Sequence, residues 1–141
     1  MPLSSEKLDE IAFYCQELSD IISIYEQLQR LYPESNGEKL KALFLWCIRE
    51  FMSQNRLKYL GELKFLSSKF GDEPDKPTDI VIDGLTQPHD PSPEGVTNLI
   101  RSKWPPEVEA YSLKNRDGFP SLWFLKWQFV WLDKEGNPIY F

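Results

Sequence analysis

The side chains that most often catalyse reactions or bind metals are scarce in this sequence. One histidine, His89, lies within Gln-Pro-His-Asp-Pro, and the cysteines are Cys15 and Cys47. A zinc site needs three or four Cys, His or carboxylate ligands held together, and no spacing here supplies them. A catalytic serine or cysteine would need His89 as its base, but the sequence contains no nucleophile elbow, cysteine-protease pattern or glycine-rich phosphate loop. We therefore predict no enzyme activity, no cofactor and no metal, with His89 on a surface loop.

The start of the chain and its cysteines bear on the compartment. The opening MPLSSEKLDE lacks the basic and apolar regions of a signal peptide. No apolar run approaches the roughly 18 residues that a membrane span requires. We therefore expect a cytoplasmic protein without a membrane segment. Cys15 and Cys47 lie on predicted apolar helix faces, which favours a reduced, buried pair, with a disulfide as the alternative.

Negative charge is concentrated in one stretch of the chain. The net charge is −6 and the sequence pI is about 4.8, which argues against nucleic-acid binding through phosphates and is compatible with a basic protein partner. Between residues 71 and 94 there are seven acids and one base, Lys76, so the net charge of this stretch equals that of the whole chain. We call residues 71–94 the acidic stretch. The candidate partner-binding residues are these acids: Asp72, Glu73, Asp75, Asp79, Asp83, Asp90 and Glu94.

All of the acidic stretch except Glu94 lies within a predicted loop, about residues 67–93, that is rich in proline. Loops of this length in compact domains usually have a function or are linkers. Two interpretations are open. The stretch is either a solvated loop that keeps the protein soluble, or a negative patch that attracts a basic partner and raises its association rate.

The element that must organise the fold is the helix predicted after Ser35. Its apolar residues recur at helical spacing: Leu40, Leu43, Phe44, Cys47, Ile48, Phe51 and Met52. Leu45 and Trp46 widen this stripe, so the helix must be covered on most sides, leaving mainly Lys39, Lys41, Arg49 and Glu50 for water. Ser35 is the predicted N-cap, with Glu38 closing a capping box, and the helix is expected to end near residues 54–55.

Two further helices are predicted before it. Ser4 or Ser5 caps the first, whose apolar face is Leu8, Ile11, Ala12, Cys15 and Leu18. Ser19 is the predicted cap of the second, which ends at Pro33. A single kinked helix over residues 5–32 is the alternative.

The rest of the chain predicts a fourth helix and a small antiparallel sheet. One or two short strands are expected around Gly61, and Ile80–Ile82 could pair as an edge strand. Ser92 and Pro93 predict the start of a helix that ends near Lys103. Residues 122–133 are rich in aromatic and branched side chains, and the turn at 134–137 predicts a C-terminal β-hairpin. The expected fold is therefore α+β, one domain over residues 1–141 with about four helices packed on the sheet.

Tryptophans suggest a second possible surface. In an alternating strand, Trp123, Trp127 and Trp131 share one face with Leu125 and Phe129. Such a face is either buried under the helices, which we consider the better interpretation, or open to a partner.

Three segments together resemble a family of small, uncharacterised bacterial proteins. They are LFLWCIREFM at 43–52 with Arg56-Leu57-Lys58, the block 92–105 ending in Trp104-Pro105, and the aromatic end around Trp131, with Asp133, Gly136 and Tyr140. Members are found beside contact-dependent or other polymorphic toxins, and some are regarded as immunity proteins. The resemblance, over about residues 5–141, implies an α+β fold without catalytic residues or cofactor. The acidic, proline-rich loop at 67–93 is longer than is typical of the family, which suggests a different partner.

We therefore expect a non-catalytic cytoplasmic protein, an immunity protein that neutralises a cognate bacterial toxin by direct binding. Many such toxins are nucleases with a basic substrate groove, to which the acidic loop could bind. The alternative is an adaptor or regulatory module of a cytoplasmic complex, recruited through the tryptophan face. The sequence makes no prediction of the oligomeric state.

Overall fold

A computed structural model of the protein describes residues 2–16, 21–65, 82–104, 124 and 126–139, with the backbone alone at 63–65 and 82–86. These ranges contain four helices, α1 Ser5–Cys15, α2 Ile22–Leu31, α3 Gly37–Ser53 and α4 Pro93–Ser102. They also contain three strands, β1 Leu57–Phe65, β2 Ile82–Thr86 and β3 Trp127–Trp131, in an antiparallel sheet of order β2-β1-β3. The predicted α+β class is confirmed.

Helix α3 lies at the centre of the packing, as its apolar spacing predicts. Six residues of the predicted stripe are buried, Met52 is half-buried, and Leu45 is buried beside them. The helix contacts α2, α4 and β1. A helix that is apolar around most of its circumference must be covered on several sides. Helix α3 therefore joins the helical layer to the sheet.

The ends of α3 correct one prediction. The N-cap is Asn36 in place of Ser35, and Oδ1 of Asn36 accepts a hydrogen bond from the backbone N of Lys39 at 2.8 Å. Glu38 is then one position too early to close a capping box. At the other end, Asn55 adopts φ of 58°, and the backbone N of Arg56 donates to the carbonyl of Phe51 at 2.8 Å. This left-handed residue closes the helix as a Schellman motif.

Two separate helices precede α3. Oγ of Ser4 accepts from the backbone N of Lys7 at 3.2 Å, so the predicted cap of α1 is confirmed. Helix α2 begins later than predicted, with Ile21 at its N-cap position and no side-chain cap. Ile21 is buried, so packing replaces a cap at this end. The predicted cap, Ser19, lies outside the described residues, as do all of residues 17–20. Helix α2 ends before Pro33, as predicted.

Strand β1 is the central strand of the sheet. The one or two strands predicted around Gly61 form one strand, in which the register with β3 shifts between Tyr59 and Gly61. Gly61 adopts φ of 139°, which a residue with a Cβ rarely adopts, so the glycine permits this irregularity. Strand β2 lies at an edge of the described sheet and shares only Ile82 with the edge strand predicted at Ile80–Ile82, because residues 80 and 81 lie outside the described residues.

The C-terminal segment forms the predicted turn, but the main partner of β3 is β1. Leu57 pairs with Trp131 and Tyr59 with Phe129 across these two strands. Oδ1 of Asp133 accepts from the backbone N of residues 135 and 137, and Gly136 adopts φ of 82°. The returning chain forms one bridge, between Leu132 and Pro138, and a hydrogen bond from the N of Ile139 to the carbonyl of Trp131 at 2.8 Å.

Candidate functional site

The acidic stretch predicted to bind a partner ends at the start of α4. Asp83 lies on β2, where the structure describes the backbone. Asp90 precedes α4, Glu94 lies in its first turn, and both side chains are exposed. The remaining predicted contact residues lie outside the described residues: Asp72, Glu73, Asp75 and Asp79. The structure thus places two of the seven carboxylates at one end of one helix, and partner binding stays a prediction for all seven.

Asp90 also takes part in the local fold. Its Oδ1 accepts a hydrogen bond from the backbone N of Ser92 at 3.0 Å, and Oγ of Ser92 accepts from the backbone N of Gly95 at 3.1 Å. Hydrogen bonds from the side chain and the backbone of Ser92 lower the pKa of the Asp90 carboxyl. Asp90 is therefore ionised at neutral pH, and its position is tied to the cap of α4.

Gly95 shows how closely the chain before α4 packs on the helix. A Cβ at this position would overlap both the carboxyl group and the carbonyl oxygen of Asp90. Glu94, next to it, points its charge into solvent near the positive end of the helix dipole. Both carboxylates therefore lie at the N-terminal end of α4, and hydrogen bonds hold the Asp90 carboxylate there.

A cleft of about 540 Å³ lies between this helix end and β1. We call it the β1/α4 cleft, and its polar lining is Glu62, Gln87, His89, Asp90, Asn98 and Lys103. His89 is exposed in the loop before α4, as predicted for a surface residue. Nε2 of Gln87 donates to the carbonyl of Leu60 at 2.8 Å, which ties this loop to β1.

Charges beside the β1/α4 cleft are paired. The Glu62 carboxylate contacts Nζ of Lys103 at 2.9 Å and Nζ of Lys126 at 3.7 Å. Burial lowers the pKa of Lys126, whereas the carboxylate of Glu62 opposes that shift. Because one carboxylate serves both ammonium groups, this cluster stabilises the contact between β1, α4 and β3.

Tyr59, on β1, carries a polar atom without a protein partner. The side chain is 9% exposed, and its hydroxyl has no hydrogen-bond partner in the part of the chain that the structure describes. Burial, and then the negative charge of Glu62, raise the pKa of Tyr59 to about 12. Its neutral form is therefore the one that the fold favours.

Tryptophans of the predicted binding face belong to the core. Trp127, Phe129 and Trp131 are buried. The ring of Trp131 lies 5.2 Å from that of Phe51, and the ring of Phe129 lies 5.0 Å from that of Tyr59. Trp123 and Leu125 lie outside the described residues. The described part of this face therefore packs under the helices, which removes its support for recruitment through tryptophan.

The other tryptophans are half-buried. Trp104, just after α4, packs in an aromatic cluster whose ring centroids lie 5.7–6.1 Å from it, at Phe44 and Tyr25. Trp46 lies on the outer side of α3 and is therefore only partly in the core that was predicted for it.

A groove between α3 and α4 is the main feature that sequence reasoning missed. Its volume is about 480 Å³, and we call it the α3/α4 groove. It is lined by Ala42, Leu45 and Trp46 together with four cations, Lys39, Lys41, Arg49 and Arg101. The helical spacing of Lys41, Leu45 and Arg49 could have indicated one shared face of α3, but nothing in the sequence brings Arg101 to it.

Two aromatic side chains on α1 are also exposed. Phe13 is 70% and Tyr14 is 44% exposed. They fall outside the apolar spacing of α1, which the buried residues Leu8, Ile11, Ala12 and Cys15 follow as predicted.

Cys15 and Cys47 are buried and form no disulfide, as predicted. Burial raises the pKa of the Cys47 thiol to about 12, with smaller contributions from Cys15 and Glu50. At neutral pH this thiol is protonated and therefore a poor nucleophile.

Within the described ranges, no group of three or more His, Cys, Asp or Glu side chains is arranged to hold a metal ion. None of the helices α1–α4 combines the length and the hydropathy that crossing a bilayer requires. Comparison with family models, with curated protein sequences and with solved structures finds no match to this chain.

Proposed function

We propose that this protein is a non-catalytic immunity protein, which neutralises a cognate toxin domain in the cytoplasm by binding directly to it. The observation that carries the proposal is the segregation of charge: seven acids and one base between residues 71 and 94, in a chain whose net charge is −6. The resemblance of three segments to a family found beside polymorphic toxins supplies the class of partner.

A basic substrate groove, as found in nucleases, is the surface that such a segment fits. Carboxylates that occupy the phosphate positions of a groove exclude nucleic acid by competing for the same cations. Opposite charge on the two partners also speeds their encounter, which matters for a protein that must reach the toxin before its substrate does.

Asp90 and Glu94 support this mechanism at the described end of the segment. Both side chains are exposed, and the hydrogen bonds around Ser92 hold the backbone on which they stand. Carboxylates whose backbone is already fixed by hydrogen bonds lose less conformational entropy on binding.

Co-expression tests the proposal. The protein is produced together with the C-terminal domain of the protein encoded directly upstream, and growth rescue and co-purification are both scored. We expect rescue with a stoichiometric complex. A toxic neighbour that is neither rescued nor bound would contradict the immunity function for that pair.

Charge variants then test the role of the acidic segment. Asp72, Glu73, Asp75 and Asp79 are changed to Asn or Gln, and the matched control changes Glu6, Glu10, Glu34 and Glu135, which are exposed acids elsewhere. Because long-range attraction acts mainly on encounter, we expect the first variant to associate about tenfold more slowly, with a weaker dependence on salt. Equal association rates for the two variants would exclude the acidic segment as the binding surface.

A further inference from the structure

The α3/α4 groove combines an apolar floor with a cationic rim. Ala42, Leu45 and Trp46 form the apolar part of its lining. Thr97 and Arg101, four residues apart and hence on one face of α4, form the opposite wall. The groove is about 480 Å³ in volume, which is enough for side chains of a bound peptide.

Four cations line this groove, against one carboxylate, that of Glu38. None of the four, Lys39, Lys41, Arg49 and Arg101, forms an ion pair with a carboxylate in the described part of the chain. The four described bases that do form ion pairs all lie elsewhere: Lys7, Arg56, Lys103 and Lys126. Among the described residues, this groove therefore holds a local excess of positive charge that no carboxylate pairs, in a protein with 22 acids and 16 bases.

Two of these cations are held in place. Nη1 of Arg101 donates to Oδ1 of Asn98 at 2.6 Å, which orients the guanidinium. Nζ of Lys41 lies 5.6 Å from the ring centroid of Trp104, a cation–π contact that keeps its charge at the end of the groove. Oriented cations bind a carboxylate at a lower entropic cost than freely moving ones.

We propose that the α3/α4 groove binds an acidic segment of a partner protein, with carboxylates on the cationic rim and an apolar side chain against Leu45 and Trp46. Lys39 and Arg49 are ten residues apart on α3, a rise of about 15 Å. About five residues of extended peptide span this length, so acidic residues at both ends and an apolar residue between them match the groove.

A protein segment fits the groove better than a nucleic acid. The net charge of −6 repels a polyanion, whereas a short peptide carries few charges and places them inside the groove. Nucleic-acid binding also requires a basic footprint over several phosphates, and a 15 Å groove covers few of them. The inference is independent of the proposed function, because it concerns a different face of α4 and a ligand of opposite charge.

Peptide binding tests the inference directly. The probe is a short fluorescein-labelled peptide of alternating Glu and Leu residues, titrated up to about 1 mM and followed by anisotropy and by backbone amide chemical shifts. Three control probes have the same length: Lys in place of Glu, Gly in place of Leu, and an oligo-dT strand. We expect the Glu/Leu peptide to bind most tightly and the shifted amides to lie along α3 and α4.

A pair of double variants locates the site. Arg49→Gln/Arg101→Gln removes two cations from the rim, and Lys58→Gln/Lys134→Gln removes two exposed cations outside the groove. Since the groove variant loses two ion pairs with the peptide, we expect it to bind the peptide about tenfold more weakly and the control to bind it within about twofold of the natural protein.

Three outcomes would overturn the inference. They are equal losses in the two double variants, tighter binding of oligo-dT than of the Glu/Leu peptide, and no amide shifts along α3 and α4 at the highest peptide concentration. All four substituted side chains are exposed, so unfolding temperatures close to that of the natural protein are expected and serve as the folding control. No toxin enters this experiment, so its failure leaves the immunity proposal untouched, and the reverse also holds.

Discussion

On one side of α4, Lys103 and Lys126 share the carboxylate of Glu62 at 2.9 Å and 3.7 Å. On the other side, Arg101 joins the cations of the α3/α4 groove, and none of these pairs with a carboxylate among the described residues. Arg101 in the last turn of α4 and Lys103 directly after the helix thus belong to opposite arrangements, two residues apart. Paired charges stabilise the protein to which they belong, whereas unpaired, ordered charges retain their attraction for a ligand.

The largest loss of stability that we expect comes from disrupting the aromatic packing of α3. Phe44 on α3 contacts Tyr25, Trp104 and Phe124, with ring centroids 5.7–5.9 Å apart, and is fully buried. Phe44→Ala leaves a cavity in this cluster and should lower the free energy of unfolding in urea by about 3–5 kcal/mol. The control is Phe13→Ala, which removes a 70% exposed ring and should change stability by less than about 0.5 kcal/mol. Similar losses in the two variants would mean that α3 is not the centre of the core.

A matched pair of charge variants sharpens the comparison itself. Glu62→Gln leaves two ammonium groups without their carboxylate, and the Lys126 side chain is 22% exposed. We expect a loss of about 1–2 kcal/mol in urea unfolding, more at low salt. Arg101→Gln removes an exposed cation that pairs with no described carboxylate and should stay within about 0.5 kcal/mol of the natural protein. A larger loss of stability for Arg101→Gln than for Glu62→Gln would contradict the assignment of Glu62 to a stabilising ion pair and of Arg101 to the unpaired cations.

The smallest expected effect is the alkaline pH dependence of the paired side. The pKa of Tyr59 is raised from 10.0 to about 12 in the folded protein, so its contribution to stability is complete below pH 10 and is lost as the pH rises towards 12. Between pH 10 and 11 this group should cost about 1 kcal/mol of the free energy of unfolding. Tyr59→Phe removes the titrating hydroxyl, whose hydrogen-bonding capacity is unused among the described residues, so the variant should lose less stability over the same interval. Identical slopes for the two proteins would contradict a role for Tyr59.

Local signals in the sequence predicted the helices well. Ser92 and Pro93 begin α4, and Ser4 caps α1, because capping depends on groups within one turn of the chain. The predicted N-cap of α3 was wrong by one residue because Ser35 and Asn36 are adjacent and both can cap a helix. In the structure Asn36 is the cap and has the extended backbone that a cap requires. Ile21 shows the limit of this reasoning, since packing and not a polar side chain starts α2.

Pairing between distant segments was harder to predict. The aromatic stretch before the turn at 134–137 was expected to pair mainly with the residues after it, but β3 pairs with β1, some seventy residues earlier. Strand pairing depends on which apolar faces the whole chain buries, and neighbouring residues do not specify that. The sequence leaves the tryptophan face ambiguous for the same reason, and the contacts of Trp131 with Phe51 and of Phe129 with Tyr59 place its described part in the core.

The candidate sites show the same difference between local and long-range features. The acidic composition of residues 71–94 and the buried stripe of α3 are properties of contiguous or periodic residues, so the sequence by itself determined them. Tertiary structure decided which charges are paired and which are left open. Glu62 pairs with Lys103 from another element, and Arg101 and Arg49 line the same groove from two helices that lie about fifty residues apart in the chain. The charge of a side chain follows from its residue type. Whether an opposite charge pairs with it depends on the distance between the two groups, and that distance is set by the tertiary fold.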